Sequence, residues 1–277
     1  MVEFRSLPES LARQPLEKGD VAIVHDADSH IYALTMQFNW KCPDVAMDAP
    51  VALLSALERR GVTTDIVQLR DDVDLSSYKV VFLPNCLSVS EAFQKNLRAY
   101  VEKGGVIVAA DRLNYCSPLG GYTYPETGPK GMTDLFGIDI DERRSLTGEG
   151  VAELAVPTTA ETLLAMDDTC FKGKPLLTRN AFGTGAAYYF TRLPEGDLAR
   201  RLVREVLGRE GVPMREELPA LVRRMSRGPY TVIVNFMNEP VELPAERGEP
   251  LLGAPSAVRG RITVKPYDVV VYERGDD

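Results

Sequence analysis

Four short apolar runs in the first part of the chain predict the strands of a buried sheet. They cover residues 21–24, 64–69, 79–84 and 106–110. Residues 64–69 also contain Thr64, Asp65 and Gln68, whereas the other three runs are apolar without interruption or nearly so. Each run is followed by polar or helix-breaking residues. Such runs are typical of strands that are covered on both faces, as in parallel sheets.

Two amphipathic segments between these runs predict helices. The first begins at Asp48 and ends at Gly61, and the second begins near Ser88 or Ser90 and ends at residues 104–105. Asp and Ser cap helix starts, and Gly ends helices in the left-handed conformation. Alternation of strand and helix predicts a flavodoxin-like parallel sheet with helices on both faces.

The pattern changes twice further along the chain. Residues 111–129 are rich in Gly, Pro, Tyr and Ser, which predicts a long loop at the carboxyl end of the fourth strand, where open α/β sheets meet ligands or partners. Strand-like runs at 137–141, 151–156, 163–166 and 185–190 and a helical face at 198–206 follow. After Pro213, short alternating runs separated by turn residues predict a small antiparallel, sandwich-like β-domain.

These patterns divide the chain into three parts. Residues 1–19 are expected to be a leader or linker, residues 20–212 the α/β domain, and residues 213–277 the C-terminal β-domain. The net charge of −8 without a long basic run argues against nucleic-acid binding. No apolar run is long enough to span a membrane, and four scattered cysteines without a C-x-x-C pair fit a reduced cytoplasmic setting.

The densest group of potential metal ligands lies directly after the first strand. It contains His25, Asp26, Asp28 and His30, and it includes both histidines of the chain. Two imidazoles and a carboxylate brought together by a loop would suit a metal ion. The favoured interpretation is that the aspartates cap turns, so no metal and no cofactor is assigned.

Cys86 and Cys116 are the candidates for a cysteine nucleophile, because each follows a predicted strand of the sheet. Neither has the flanking glycines of a nucleophile elbow, and no histidine follows residue 30 to serve as a base. Small buried thiols are the favoured interpretation. No phosphate-binding glycine motif follows the first strand, so nucleotide binding is disfavoured.

Aromatic residues follow the first and fourth strands. The segment 25–44, expected to be a loop, carries Tyr32, Phe38 and Trp40, and the loop 111–129 carries Tyr115, Tyr122 and Tyr124. Adjacent parallel strands place both segments at one edge of the sheet, where aromatic rings suit a protein interface or a sugar. Packing of the rings onto the sheet is equally expected.

Several segments resemble the middle domain of glycoside hydrolase family 42 β-galactosidases. The resemblance is carried by residues 20–26, 79–84, 97–108 and 131–138, and it extends over about residues 20–208. Residues 230–236 and 266–271 resemble the small β-domain that closes those enzymes. The middle domain is a trimerisation domain with a class I glutamine amidotransferase-like fold, so the resemblance implies this fold here.

The resemblance also implies what the chain does. The family's catalytic glutamates lie in an N-terminal barrel, whereas only about twenty residues precede the middle domain here. Where an amidotransferase would carry its cysteine, this chain has Asp111 and Arg112. No catalytic residue is therefore assigned. The expected role is an accessory module that forms a homo-oligomer, a trimer by resemblance, or docks onto a glycosidase barrel, with possible galactoside contact.

Two other functions stay open at this point. One is an enzyme, either an amidotransferase-like hydrolase or a metal-dependent enzyme that uses the segment after the first strand. The other is a sugar-binding module that uses Trp40 and the nearby tyrosines.

Overall fold

The computed structural model describes residues 7–40, 47–117, 123, 128–146, 150–167, 170–253 and 257–274. The helices are α1 (Glu9–Arg13), α2 (Ala27–Trp40), α3 (Asp48–Arg59), α4 (Glu91–Glu102), α5 (Thr133–Phe136) and α6 (Gly196–Arg209). The strands are β1 (Val21–His25), β2 (Thr64–Gln68), β3 (Val80–Leu83), β4 (Val106–Ala110), β5 (Ile138–Leu146), β6 (Gly150–Pro157), β7 (Glu161–Ala165), β8 (Pro175–Phe182), β9 (Gly185–Phe190), β10 (Val222–Arg227), β11 (Tyr230–Asn235), β12 (Val241–Pro244), β13 (Glu249–Leu252), β14 (Arg261–Val264) and β15 (Val269–Glu273).

The described residues form two compact units. The α/β unit contains the described residues of the ranges 20–56 and 64–212, and the β unit contains those of the ranges 1–19, 57–63 and 213–277. The segment expected to be a leader or linker thus contains α1 and belongs to the β unit, as does the last turn of α3.

A seven-stranded sheet forms the centre of the α/β unit, in the order β2-β1-β3-β4-β9-β8-β7. The first five of these strands are parallel to one another. Strand β8 pairs antiparallel with β9, and β7 pairs antiparallel with β8. Ala22 and Val24 of β1 join one buried cluster with α4 and α5. Val21 and Ile23 point to the opposite face and are also buried, so both faces of the sheet are covered.

The prediction of a mixed α/β unit followed by a small antiparallel β-domain is confirmed at this level. In the β unit, β10-β11-β15-β13 form one antiparallel sheet and β12-β14 form a second. Their facing sides enclose a core that includes Val222, Ile233, Val264 and Val270.

The prediction that residues 25–44 form a loop is wrong, because Ala27–Trp40 is a helix. The carboxylate of Asp26 explains the helix start: its Oδ1 accepts a hydrogen bond from the Asp28 backbone N–H at 3.2 Å, as a helix cap does. No Gly or Pro interrupts the segment from Ala27 to Trp40. The polar residues that suggested a loop form the first turn of the helix.

Candidate functional site

The carboxyl ends of β1, β3 and β4 bring polar side chains to one edge of the α/β sheet. Asp26 follows β1, Asn85 follows β3 and Asp111 follows β4, and all three are buried. In open α/β sheets this edge is where ligands and partners bind. It is therefore the candidate functional site.

The first cluster at this edge joins α2 to the segment after β3. Ser29 donates its hydroxyl to Asp26 Oδ2, and Ser29 Oγ accepts the backbone N–H groups of Leu87 at 2.7 Å and Ser88 at 3.3 Å. Burial raises the pKa of Asp26. Because Ser29 is fully buried, this cluster fixes two segments against each other and offers no exposed hydroxyl.

The two histidines that the sequence offers as potential metal ligands lie on different secondary-structure elements. His25 ends β1, and its carbonyl oxygen accepts the backbone N–H of Leu69 at 2.8 Å. His30 lies in α2, and its Nδ1 is buried without a hydrogen-bond partner in the described segments. Across the described part of the chain, no three His, Cys, Asp or Glu side chains are grouped to hold a metal ion.

A second cluster contains two buried carboxylates and two guanidinium groups. Glu153 on β6 is fully buried and accepts two hydrogen bonds from Arg143 on β5, one of them from Nε at 3.0 Å. The hydroxyl of Tyr189 on β9 donates to Glu153 Oε2 at 2.6 Å. Both carboxylate oxygens of Glu153 are therefore satisfied, which a buried charge requires.

Asp111 is less completely satisfied. Its side chain is fully buried, Arg112 Nε donates to its Oδ2 at 3.1 Å, and its Oδ1 has no hydrogen-bond partner among the described residues. Burial raises the pKa of Asp111 to about 6, and the neighbouring charge of Glu153 adds to the rise, while Arg112 and Arg143 oppose it. A carboxyl of this kind exchanges its proton close to neutral pH.

The turn after β4 has an unusual backbone. Arg112 and Asn114 have φ of 60° and 50°, which is uncommon for residues other than glycine. Asn114 holds the turn in place, because its Oδ1 accepts the Val89 N–H at 2.9 Å and its Nδ2 donates to the Lys130 carbonyl at 2.8 Å. Backbone strain of this kind persists where surrounding contacts impose it.

Among the predicted aromatic residues, Tyr32 and Tyr115 pack beside one buried cluster, which includes Cys116 and Leu193. The Arg143 guanidinium lies over the Tyr115 ring, 4.1 Å from its centroid. Tyr115 thus contacts both this buried cluster and the Arg143 guanidinium that is paired with Glu153. Tyr122, Tyr124 and the side chains of Phe38 and Trp40 lie outside the described residues.

The two cysteines near this edge have protonated thiols at neutral pH. Burial raises the pKa of Cys86 far above its usual range and raises that of Cys116 to about 11. Reactive cysteines show the opposite, with a lowered pKa in an electropositive, partly exposed position. The geometry therefore gives no support to a cysteine nucleophile at either position.

Sequence reasoning missed Arg143, Glu153 and Tyr189. The available signal was Glu153, which interrupts the apolar strand pattern of residues 151–156. Its partner was not identifiable without the strand register, in which Arg143 lies directly opposite Glu153.

Two family models match the chain. The β-galactosidase trimerisation domain of glycoside hydrolase family 42 matches residues 19–213, and the β-galactosidase C-terminal domain matches residues 221–274. The chain belongs to this family of β-galactosidase trimerisation and C-terminal domains, which confirms the resemblance seen in the sequence.

Individual β-galactosidases are similar over most of the chain. The protein Bga of Halorubrum lacusprofundi is 31% identical over 252 residues, which is 81% of this chain and 35% of that protein. BgaB of a Geobacillus species is 24% identical over 252 residues, 80% of this chain and 36% of that protein. The chain therefore spans about a third of the length of these curated relatives.

Solved structures show the same correspondence. The Halorubrum lacusprofundi β-galactosidase aligns with a TM-score of 0.84 at 30% identity, covering 100% of this chain and 42% of that one. A β-galactosidase from Bacillus circulans sp. alkalophilus has the same fold, with a TM-score of 0.77 at 23% identity, covering 99% of this chain and 44% of that one. No helix within the described ranges is both long and apolar enough to cross a bilayer.

Proposed function

We propose that this chain is an assembly module of a β-galactosidase system. It associates with copies of itself or with a glycosidase catalytic barrel, and the glycosidic bond is broken on the barrel. The observation that carries the proposal is the pair of family matches over residues 19–213 and 221–274, the first of which is to a trimerisation domain.

Exposed apolar side chains on α2 and α3 support an association surface. Ile31 is 58% exposed and Val51 is 55% exposed, and Met47 before α3 is also exposed. Ala33 of α2 and Ala49 of α3 belong to the same buried cluster, so the two helices lie together there. Exposed apolar side chains gathered on neighbouring helices are typical of protein interfaces. We define Ile31, Met47 and Val51 as the α2–α3 patch.

The carboxyl edge of the sheet supports an architectural role for the fold. The parallel order β2-β1-β3-β4-β9 is that of a doubly wound, flavodoxin-like sheet, which is compatible with kinship to the class I amidotransferases. Directly after β4, where such an enzyme would carry its cysteine, this chain has the buried pair Asp111 and Arg112. We infer that this edge holds the fold together and carries no nucleophile.

The test is the mass of the full chain by light scattering during size exclusion, for the wild type and for a double variant of the α2–α3 patch, Ile31→Asp with Val51→Asp. The wild type should have more than the single-chain mass of 30.6 kDa, either alone or with a separately produced family 42 barrel, and the double variant should approach the single-chain mass. Val156→Asp changes an equally apolar exposed residue on β6 and should behave as the wild type.

Two results would count against the proposal. The first is a wild type that stays at 30.6 kDa and gains no mass when a separately produced family 42 barrel is added. The second is a double variant that keeps the wild-type mass, which would show that the α2–α3 patch is not the association surface.

A further inference from the structure

A cleft in the β unit has more positive than negative charge. It has a volume of about 440 Å³, and the charged side chains that line it are Arg215, Glu216, Arg224, Glu246, Arg247 and Arg274. Among the described residues these are four guanidinium groups and two carboxylates. The cleft is large enough for a small organic ligand.

Arg224 is the unusual member of this group. It lies on edge strand β10, opposite Ile233 in the register, and Ile233 belongs to the buried core of the β unit. Side chains alternate between the faces of a strand, so Arg224 shares the face of core residue Val222. A cation thus occupies the inner side of the sheet, at the rim of the core.

This guanidinium is buried but incompletely paired. The Arg224 side chain is 6% exposed, and it forms an ion pair with Glu246. Its Nε has no hydrogen-bond partner among the described residues. Burial lowers the pKa of Arg224 from its usual value, and the charge of Arg215 contributes. A second anion near Arg224 would supply both a charge and an acceptor that the protein lacks there.

The carboxylates of the cleft are already engaged. Glu246 forms ion pairs with Arg215, at 3.1 Å, and with Arg224, so two cations share one carboxylate. Glu216 pairs with Arg261 at 3.3 Å, and Arg274 pairs with Glu17 at 2.6 Å. Arg247 is exposed at the mouth of the cleft and has no ion pair within the described ranges. Two positive charges are therefore left without compensation.

We propose that this cleft binds a phosphate group, either as free phosphate or on a small molecule of sugar size, through Arg224, Arg215 and Arg247. Guanidinium groups present several donors in a planar fork that fits the oxygens of phosphate, and such charge-assisted hydrogen bonds are strong. This inference is independent of the proposed assembly role, because it concerns the β unit alone.

The experiment is a binding titration of the full chain at constant ionic strength, by calorimetry and by phosphorus NMR line width. The probes are inorganic phosphate, a hexose 6-phosphate and the free hexose. Both phosphate probes should bind, and the free hexose should not. A tighter Kd for the hexose phosphate identifies a phosphosugar ligand, and equal values identify the phosphate group alone.

Variants locate the site. Arg247→Gln changes an exposed side chain and should weaken binding at least tenfold without affecting folding. Arg224→Gln should weaken binding by at least the same factor. Arg223→Gln is the matched control, because Arg223 is the neighbour of Arg224 on β10, points to the opposite face and pairs with Glu58; its Kd should stay within twofold of the wild type. Absence of phosphate binding at 20 mM, or a Kd unchanged in both cleft variants, would overturn the proposal.

Discussion

The two units contain buried charge in different arrangements. In the α/β unit, Glu153 receives hydrogen bonds from Arg143 and Tyr189, and all of its acceptor oxygens are used. In the β unit, Arg224 and Arg215 share the Glu246 carboxylate, and Arg224 Nε donates no hydrogen bond to any described residue. A balanced buried pair is suited to hold strands together, whereas an unbalanced one has the capacity to bind an added anion. The comparison separates positions where charge stabilises the fold from positions where it recognises a ligand.

The largest effect is expected when the balanced pair is broken. Glu153→Gln removes the carboxylate to which the Arg143 guanidinium is hydrogen-bonded, which should lower the free energy of unfolding by about 3–5 kcal/mol. Urea denaturation of the full chain measures this. Glu142→Gln is the matched control, because Glu142 forms a more exposed ion pair with Arg144 and should cost about 1 kcal/mol or less. Equal losses in the two variants would remove the distinction.

The second effect concerns the incompletely satisfied carboxyl of the same cluster. The folded-state pKa of Asp111, about 6, is higher than its ordinary value. The folded chain therefore binds more protons than the unfolded chain between about pH 4 and 6, and stability falls as the pH rises through this window. Two pKa units correspond to about 3 kcal/mol.

Asp111→Asn removes this titration. The difference in free energy of unfolding between variant and wild type should shift by about 2–3 kcal/mol in favour of the variant between pH 4 and pH 7. Denaturation curves across this range test it, and Asp139→Asn, at an exposed position of β5, serves as the control. A difference that is constant with pH would show that Asp111 does not titrate there.

A smaller effect is expected in the β unit. Arg224→Gln removes a buried cation, but Glu246 keeps Arg215 as its partner, so no carboxylate is left alone. The loss of stability should be about 1 kcal/mol in phosphate-free buffer. A loss as large as that of Glu153→Gln would mean that Arg224 is as firmly balanced as Arg143, and that the cleft has no spare charge.

The smallest effect is expected at the mouth of the cleft. Arg247→Gln should change the free energy of unfolding by less than about 0.5 kcal/mol without phosphate, because surface substitutions away from specific contacts have little effect. The same variant should lose the stabilisation that phosphate gives to the wild type, since a ligand stabilises only the state that binds it. Thermal unfolding with and without phosphate separates the two.

The sequence predicts the elements that local patterns determine. Strands β1, β3 and β4 were identifiable as continuous apolar runs, and α4 by its apolar face and its cap, in which Ser90 Oγ accepts the Phe93 N–H at 3.0 Å. Strand β8 was missed, because it begins with a proline and contains Thr178 and Asn180, which are polar but buried. Their environment depends on pairing with distant strands.

The sequence predicts where in the fold the candidate site lies, but not which side chains pair with each other there. The carboxyl edge followed from the strand–helix alternation, and Asp26 and Asp111 were identified there. The partners of these residues were not, since the pairing of Arg143 with Glu153 depends on the β5–β6 register. The positive φ of Arg112 and Asn114 was equally hidden, because neither is the glycine that usually signals such a conformation.

We propose that the chain acts in assembly and that a glycosidase barrel breaks the glycosidic bond. The most direct measurement is hydrolysis of a nitrophenyl galactoside by the full chain purified alone, and by a separately produced family 42 barrel with and without an equimolar amount of the chain. We expect no turnover above buffer for the chain alone, and a higher rate or longer active lifetime for the barrel when the chain is added. Galactoside turnover by the chain alone would contradict it.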